Sequence, residues 1–90
     1  LSQTLRRADG MPVVVLCHQY LESLREPSKT RLVETLNKFG VKTCLSAHQH
    51  RRRRSRFGGL TQFVLSCLDP DKSKDIAPGC YVVEVRGDRV

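Results

Sequence analysis

The 90-residue chain has no Trp and one Met, and aromatic residues make up only 6% of it. That is a thin supply for the stacking platforms of single-strand nucleic-acid binders. No apolar run approaches the roughly 18–20 residues that span a bilayer, so no membrane partner is predicted. No basic leader with an apolar stretch and a small-residue cleavage site is present, and the expectation is a cytoplasmic location. There is no low-complexity tract, heptad pattern or internal repeat. None of the four cysteines, Cys17, Cys44, Cys67 and Cys80, forms a C-x-x-C pair. Reduced thiols within apolar runs are the default expectation, although the even count also allows two disulfides. What remains is a globular composition, 39% hydrophobic and 28% charged. At this length there is material for one modest core. The chain opens on Leu1, which suggests a segment of something longer.

Charge is concentrated in one place. The formal net charge is +7, and the window 48–58 holds five Arg and no acid. Residues 1–47 balance at +3 and residues 59–90 at −1. A short Arg run is a nucleic-acid or import signal, and it is also what a solvated loop looks like, because adjacent like charges resist packing. Arg51, Arg52, Arg53, Arg54 and Arg56 are therefore candidate anion-binding residues, with a solvated loop as the competing reading.

The pattern along the chain predicts an α/β fold. Leu1, Leu5 and Ala8 share a helical face that ends at Asp9-Gly10. Val13 to Cys17 is an unbroken apolar, β-branched run, expected to be a strand buried on both faces. A loop with one helical turn near Leu21–Leu24 follows. Ser28 is a plausible N-cap for a helix carrying Leu32, Val33, Leu36 and Phe39 on one stripe, closed by Gly40. Val41 to Ser46 reads as a second strand, and Gly58-Gly59 breaks the chain. Leu60 to Leu68 reads as a third strand, Asp69 to Pro78 as a polar loop, and Cys80 to Arg86 as a fourth strand before a Gly87-Asp88 turn. The expected sheet is small and mixed: a βαβ unit with parallel strands, then two C-terminal strands paired antiparallel.

All three histidines follow strands. His18 comes after the first, and His48 and His50 after the second. In open α/β sheets ligands bind outside the carboxyl ends of parallel strands, so both strands deliver imidazoles to one edge. In extended chain an H-x-H pair points both rings the same way. Imidazole suits Zn, Fe, Mn and Ni, so a metal site can be argued from these positions, against the blander reading of polar loop histidines. No carboxylate adjoins them in sequence.

These residues resemble the C-terminal half of the calcineurin-like metallophosphoesterases. Val13-Val14-Val15-Leu16-Cys17-His18 is similar to that family's buried strand ending in a metal-binding His. Val41 to His50 is similar to the strand leading into its Gly-His-x-His motif. Pro78-Gly79-Cys80-Tyr81-Val82-Val83-Glu84-Val85-Arg86-Gly87-Asp88 is similar to its closing strand. The resemblance covers most of the chain. It implies half of an α-β-β-α sandwich, a single partial domain over 1–90, with one sheet face left for a partner or an oligomer to cover. It implies a hydrolase acting on phosphate esters through two divalent metal ions (Mn, Fe or Zn), His18 and His48 holding one and His50 the other. The family's N-terminal motifs, Asp-x-His, Gly-Asp and Gly-Asn-His, are absent ahead of His18. Position 47 is Ala where the family has Gly, and the Arg run is no part of its pattern. The chain alone is therefore expected to be inactive. The alternatives are a basic nucleic-acid-binding or interaction fragment using Arg51–Arg56, and a non-catalytic module that keeps the fold without the metals.

Overall fold

Among the described residues the regular elements are two α-helices, one 3-10 turn and a four-stranded sheet. The computed structural model describes residues 1–8, 10–66 and 82–87. Helix α1 (Ser2–Arg7) buries Leu5 and ends near Gly10, which takes φ +78°. Strand β1 (Val14–Leu16) follows, then a 3-10 turn at Leu21–Ser23. Helix α2 (Ser28–Lys38) turns its apolar stripe to the sheet, with Leu36 fully buried and Leu32, Val33 and Phe39 packed around the core. Its N-cap is Pro27, not Ser28 as the sequence suggested. The Glu26 carboxylate does the capping instead, accepting from the Thr30 amide and hydroxyl. At the other end Gly40 sits at φ +72°. Its amide donates to the Asn37 carbonyl, and the Val41 amide donates to that of Leu36. That paired pattern is a Schellman cap, which needs a left-handed residue where Gly40 stands.

Strands β2 (Thr43–Ser46), β3 (Arg53–Phe57) and β4 (Leu60–Val64) complete the sheet, ordered β1-β2-β4-β3. The β1–β2 and β2–β4 pairs are parallel, and β3 runs antiparallel to β4. The mixed sheet and the parallel βαβ unit agree with the sequence reading. Three details do not. First, β1 is an edge strand and Leu16 is 74% exposed, so the apolar run is not buried on both faces. Second, the antiparallel partner of β4 is the arginine segment, where the sequence reading placed a strand over Cys80–Arg86. Arg53–Phe57 was expected as loop, but an edge strand needs only backbone pairing and carries charge readily. Third, residues 82–85 form no strand, and Val82 and Val83 are exposed. Strand β4 is flanked by β2 and β3, so it has no free edge to offer them. The remainder of the predicted C-terminal strand, Cys80 and Tyr81, and the loop Asp69–Pro78 lie outside the described residues.

Register divides the sheet into two faces. Val15, Cys44, Gln62 and Ser55 align across the four strands on the face that packs against Leu36, Leu21 and Leu60. Leu16, Leu45, Phe63 and Arg54 align on the opposite face. Leu45 and Phe63 there are only half-buried.

Candidate functional site

Strands β1 and β2 are parallel neighbours, and each is followed at the second residue by a histidine. The ladder continues past both strand ends. The Cys17 amide donates to the Leu45 carbonyl, and the Ala47 amide donates to that of His18, each at 3.0 Å. This ties the two loops together and brings His18 Nε2 to 3.0 Å from His48 Nδ1. The rings meet edge to face, with centroids 4.9 Å apart. Both residues are exposed.

The H-x-H segment is not extended. His48 has φ +70° and His50 φ +57°. The Gln49 amide donates to the Ala47 carbonyl at 2.8 Å, which makes His48 the centre of a γ-turn of the rare, strained sense. The alternation argument for two rings on one side therefore does not apply. His50 is half-buried, and no group of three His, Cys, Asp or Glu able to hold a metal occurs among the described residues. The structure brings His18 and His48 together, and His50 does not complete a trio with them. Ala47 does not need the left-handed conformation that a Gly would supply, since the positive φ falls one residue later.

Beneath the imidazoles lies a polar chain that sequence reading did not find. Gln62 is fully buried, and its Oε1 accepts from the Leu21 amide at 2.6 Å and from the Ser46 hydroxyl at 2.9 Å. Its Nε2 donates to Glu22 Oε2 at 2.8 Å. A backbone amide can only donate and a carboxylate only accept, so the Gln62 orientation is fixed. The Ser46 proton is thereby committed to Gln62. Ser46 Oγ is left as the acceptor facing Cys17 Sγ at 3.3 Å and Cys44 Sγ at 3.6 Å. Burial pushes the Cys44 thiol up to about 11, reinforced by Cys17 and opposed by Ser46. Burial also pushes the Glu22 carboxyl up. Hydrogen bonds from Ser55 and Gln62, its own backbone, and the charge of Arg53 outweigh this and hold it below its usual value. Cys17 and Cys44 are free thiols, and Cys67 and Cys80 lie outside the described residues. The signal for Gln62 was present in its parity. It shares the strand face of Leu60 and Val64, both fully buried.

The arginines lie beside this site. Arg51 and Arg52 follow the H-x-H turn, and Arg53, Arg54 and Arg56 are on β3, all of them exposed. Arg54 Cζ stands 5.8 Å from the centroid of the Phe63 ring.

No family model, curated protein or solved structure matches this chain. The geometry of the site is therefore the ground for a functional reading. A divalent ion is the group the resemblance implies, and the donor set can be tested for fit. Two imidazole nitrogens bound to one ion at metal–nitrogen distances near 2.0–2.1 Å stand about 2.9–3.4 Å apart for cis or tetrahedral placement. The observed contact is a hydrogen bond between the two ring nitrogens at 3.0 Å, and its length also falls in that range. Two such nitrogens would supply part of one ion's coordination shell.

Proposed function

We propose that this chain is the C-terminal part of a metal-dependent phosphoesterase, with His18 and His48 as two ligands of one divalent ion. One observation carries the reading: adjacent parallel strands end in imidazole nitrogens 3.0 Å apart. Carboxyl ends of parallel strands are where open α/β sheets bind ligands. The strained turn at His48 supports it too, because backbone strain persists where the surrounding structure holds a functional side chain in place. When bound, such an ion generates a hydroxide near neutral pH and neutralises charge on a phosphoryl group. The chain's own part is to aim two imidazoles and to lock their loops through the shared backbone ladder and the Gln62 network. His50 is assigned to a second ion on resemblance alone. The half-buried face bearing Leu45 and Phe63 is the surface that the other half of an α-β-β-α sandwich would cover.

The test is calorimetric titration of the 90-residue chain with Mn²⁺ or Zn²⁺. One bound ion is expected, lost in both His18→Ala and His48→Ala. Hydrolysis of an aryl phosphate by the chain alone is not expected, since two imidazoles leave most of a two-ion centre unfilled. Metal binding unchanged in both variants would refute the assignment.

A further inference from the structure

Strand β3 runs antiparallel to β4, so it begins at the sheet end where the imidazole pair sits. Arg53 pairs with Val64, and Val64 pairs with Ser46, two residues before His48. From there the arginines follow the outer edge of the sheet away from the pair, Arg54 beside Phe63 and Arg56 beside Thr61. Two strand spacings separate β2 from β3, which is about 10 Å. From Arg53 to Arg56 the run extends a further ~10 Å along the strand, a line of cations leading away from the imidazole pair and not a cluster around one point.

Composition points the same way. Guarding an edge strand takes a charge or two, most often Lys. Here all five basic residues between 51 and 56 are Arg, although the chain uses Lys elsewhere, at Lys29, Lys38, Lys42, Lys72 and Lys74. Arg presents a planar fork that matches phosphate oxygens in pairs. Of the four described acidic side chains, Glu26 is engaged with Thr30 and Glu84 with Arg86, and Glu34 is on α2. Glu22, which senses the charge of Arg53, is the one placed at the run.

We infer that β3 and the turn before it form a binding edge for the phosphodiester backbone of a nucleic acid, which makes a polynucleotide the substrate class of the imidazole site. The inference rests on the phosphoesterase reading in taking His18 and His48 as the reacting end. The binding itself needs no metal.

The experiment is fluorescence anisotropy with the full chain in EDTA, using a single-stranded oligonucleotide of about 12 nucleotides and a duplex of the same sequence. Three to five phosphate contacts predict that affinity for the single strand falls about 20- to 100-fold between 50 and 200 mM salt. For the same number of contacts the duplex has the steeper log–log slope, about −0.9 per contact against about −0.7 for the single strand, and the relative affinities show which form is preferred. The triple variant Arg53→Gln, Arg54→Gln, Arg56→Gln is expected to lose most of the affinity and to flatten the slope by about 2. Circular dichroism checks that it is folded. Removing equal charge from the helical side, with Arg25→Gln, Arg31→Gln and Lys38→Gln, is expected to leave the slope nearly intact. The inference is overturned by a flat salt response, by equal losses in the two triple variants, or by binding to phosphatidylserine vesicles as tight as to the oligonucleotides. Metal titration of the same samples reads the hydrolase assignment separately. Nucleic-acid binding that survives in His48→Ala while metal binding is lost shows that the two readouts are independent.

Discussion

Replacing Gln62 with Leu removes the acceptor from the Leu21 amide and the Ser46 hydroxyl at once, because a single buried oxygen serves both. Two stranded donors predict a loss of ~2–4 kcal/mol in urea unfolding, and a loss below ~1 kcal/mol would show that the network is dispensable. Glu22, at the other end of that chain, sets a pH dependence. Its folded pKa is depressed, so its stabilisation is present above the usual carboxylate value of 4.5 and is lost as pH falls through the folded value. Glu22→Gln should therefore destabilise the protein at pH 7 and do so much less near pH 3, as read from melts at both pH values. Equal destabilisation at the two would remove the carboxylate's role. His18 and His48 were legible in the sequence because each follows an apolar run. Gln62, Ser46 and Glu22 were not, because their roles depend on which face a strand presents and on which loop closes over it. Neither is fixed by local pattern.

Helix α2 and the β3–β4 hairpin are joined by one side chain. Asn37 Nδ2 donates to the Phe57 carbonyl at 2.9 Å, and its Oδ1 accepts from the Gly59 amide at 3.1 Å. Between them Gly58 takes φ +65°, and a Cβ there would stand 3.0 Å from Asn37 Nδ2. Gly58→Ala should cost ~1–2 kcal/mol from the left-handed backbone alone, with the Asn37 contact adding to it. A stability equal to wild type in urea would show that the turn can reshape. Helix α2 was legible because its apolar stripe and closing glycine agree. Strand β3 was not, since an edge strand with one half-buried aromatic and three arginines has no apolar alternation to detect. From Val83 to Arg86 apolar and polar residues do alternate, but pairing is a property of the partner, and both sides of β4 were already taken.

At the scale of the whole molecule, the apolar residues Leu16, Leu45 and Phe63 align on the face away from the core, and Leu16 is 74% exposed. Among the described residues the sheet is packed on one side, and such a sheet should gain stability by self-association. The melting temperature is predicted to rise with protein concentration, and Leu16→Lys to weaken that dependence. A sharp, concentration-independent melt of a monomer in analytical ultracentrifugation would contradict this. The fold class was legible, since a parallel βαβ unit follows from an apolar strand, an amphipathic helix and a second strand in that order. The edge positions of β1 and β3 were not, because strand order is set by pairings between distant segments. Those positions give the sheet a polarity across its width. One border is lined with arginines that repel another strand of like kind, and the other ends in exposed leucine. A basic strand joining from elsewhere is steered to the leucine side, so for such a partner the sheet can widen in only one direction.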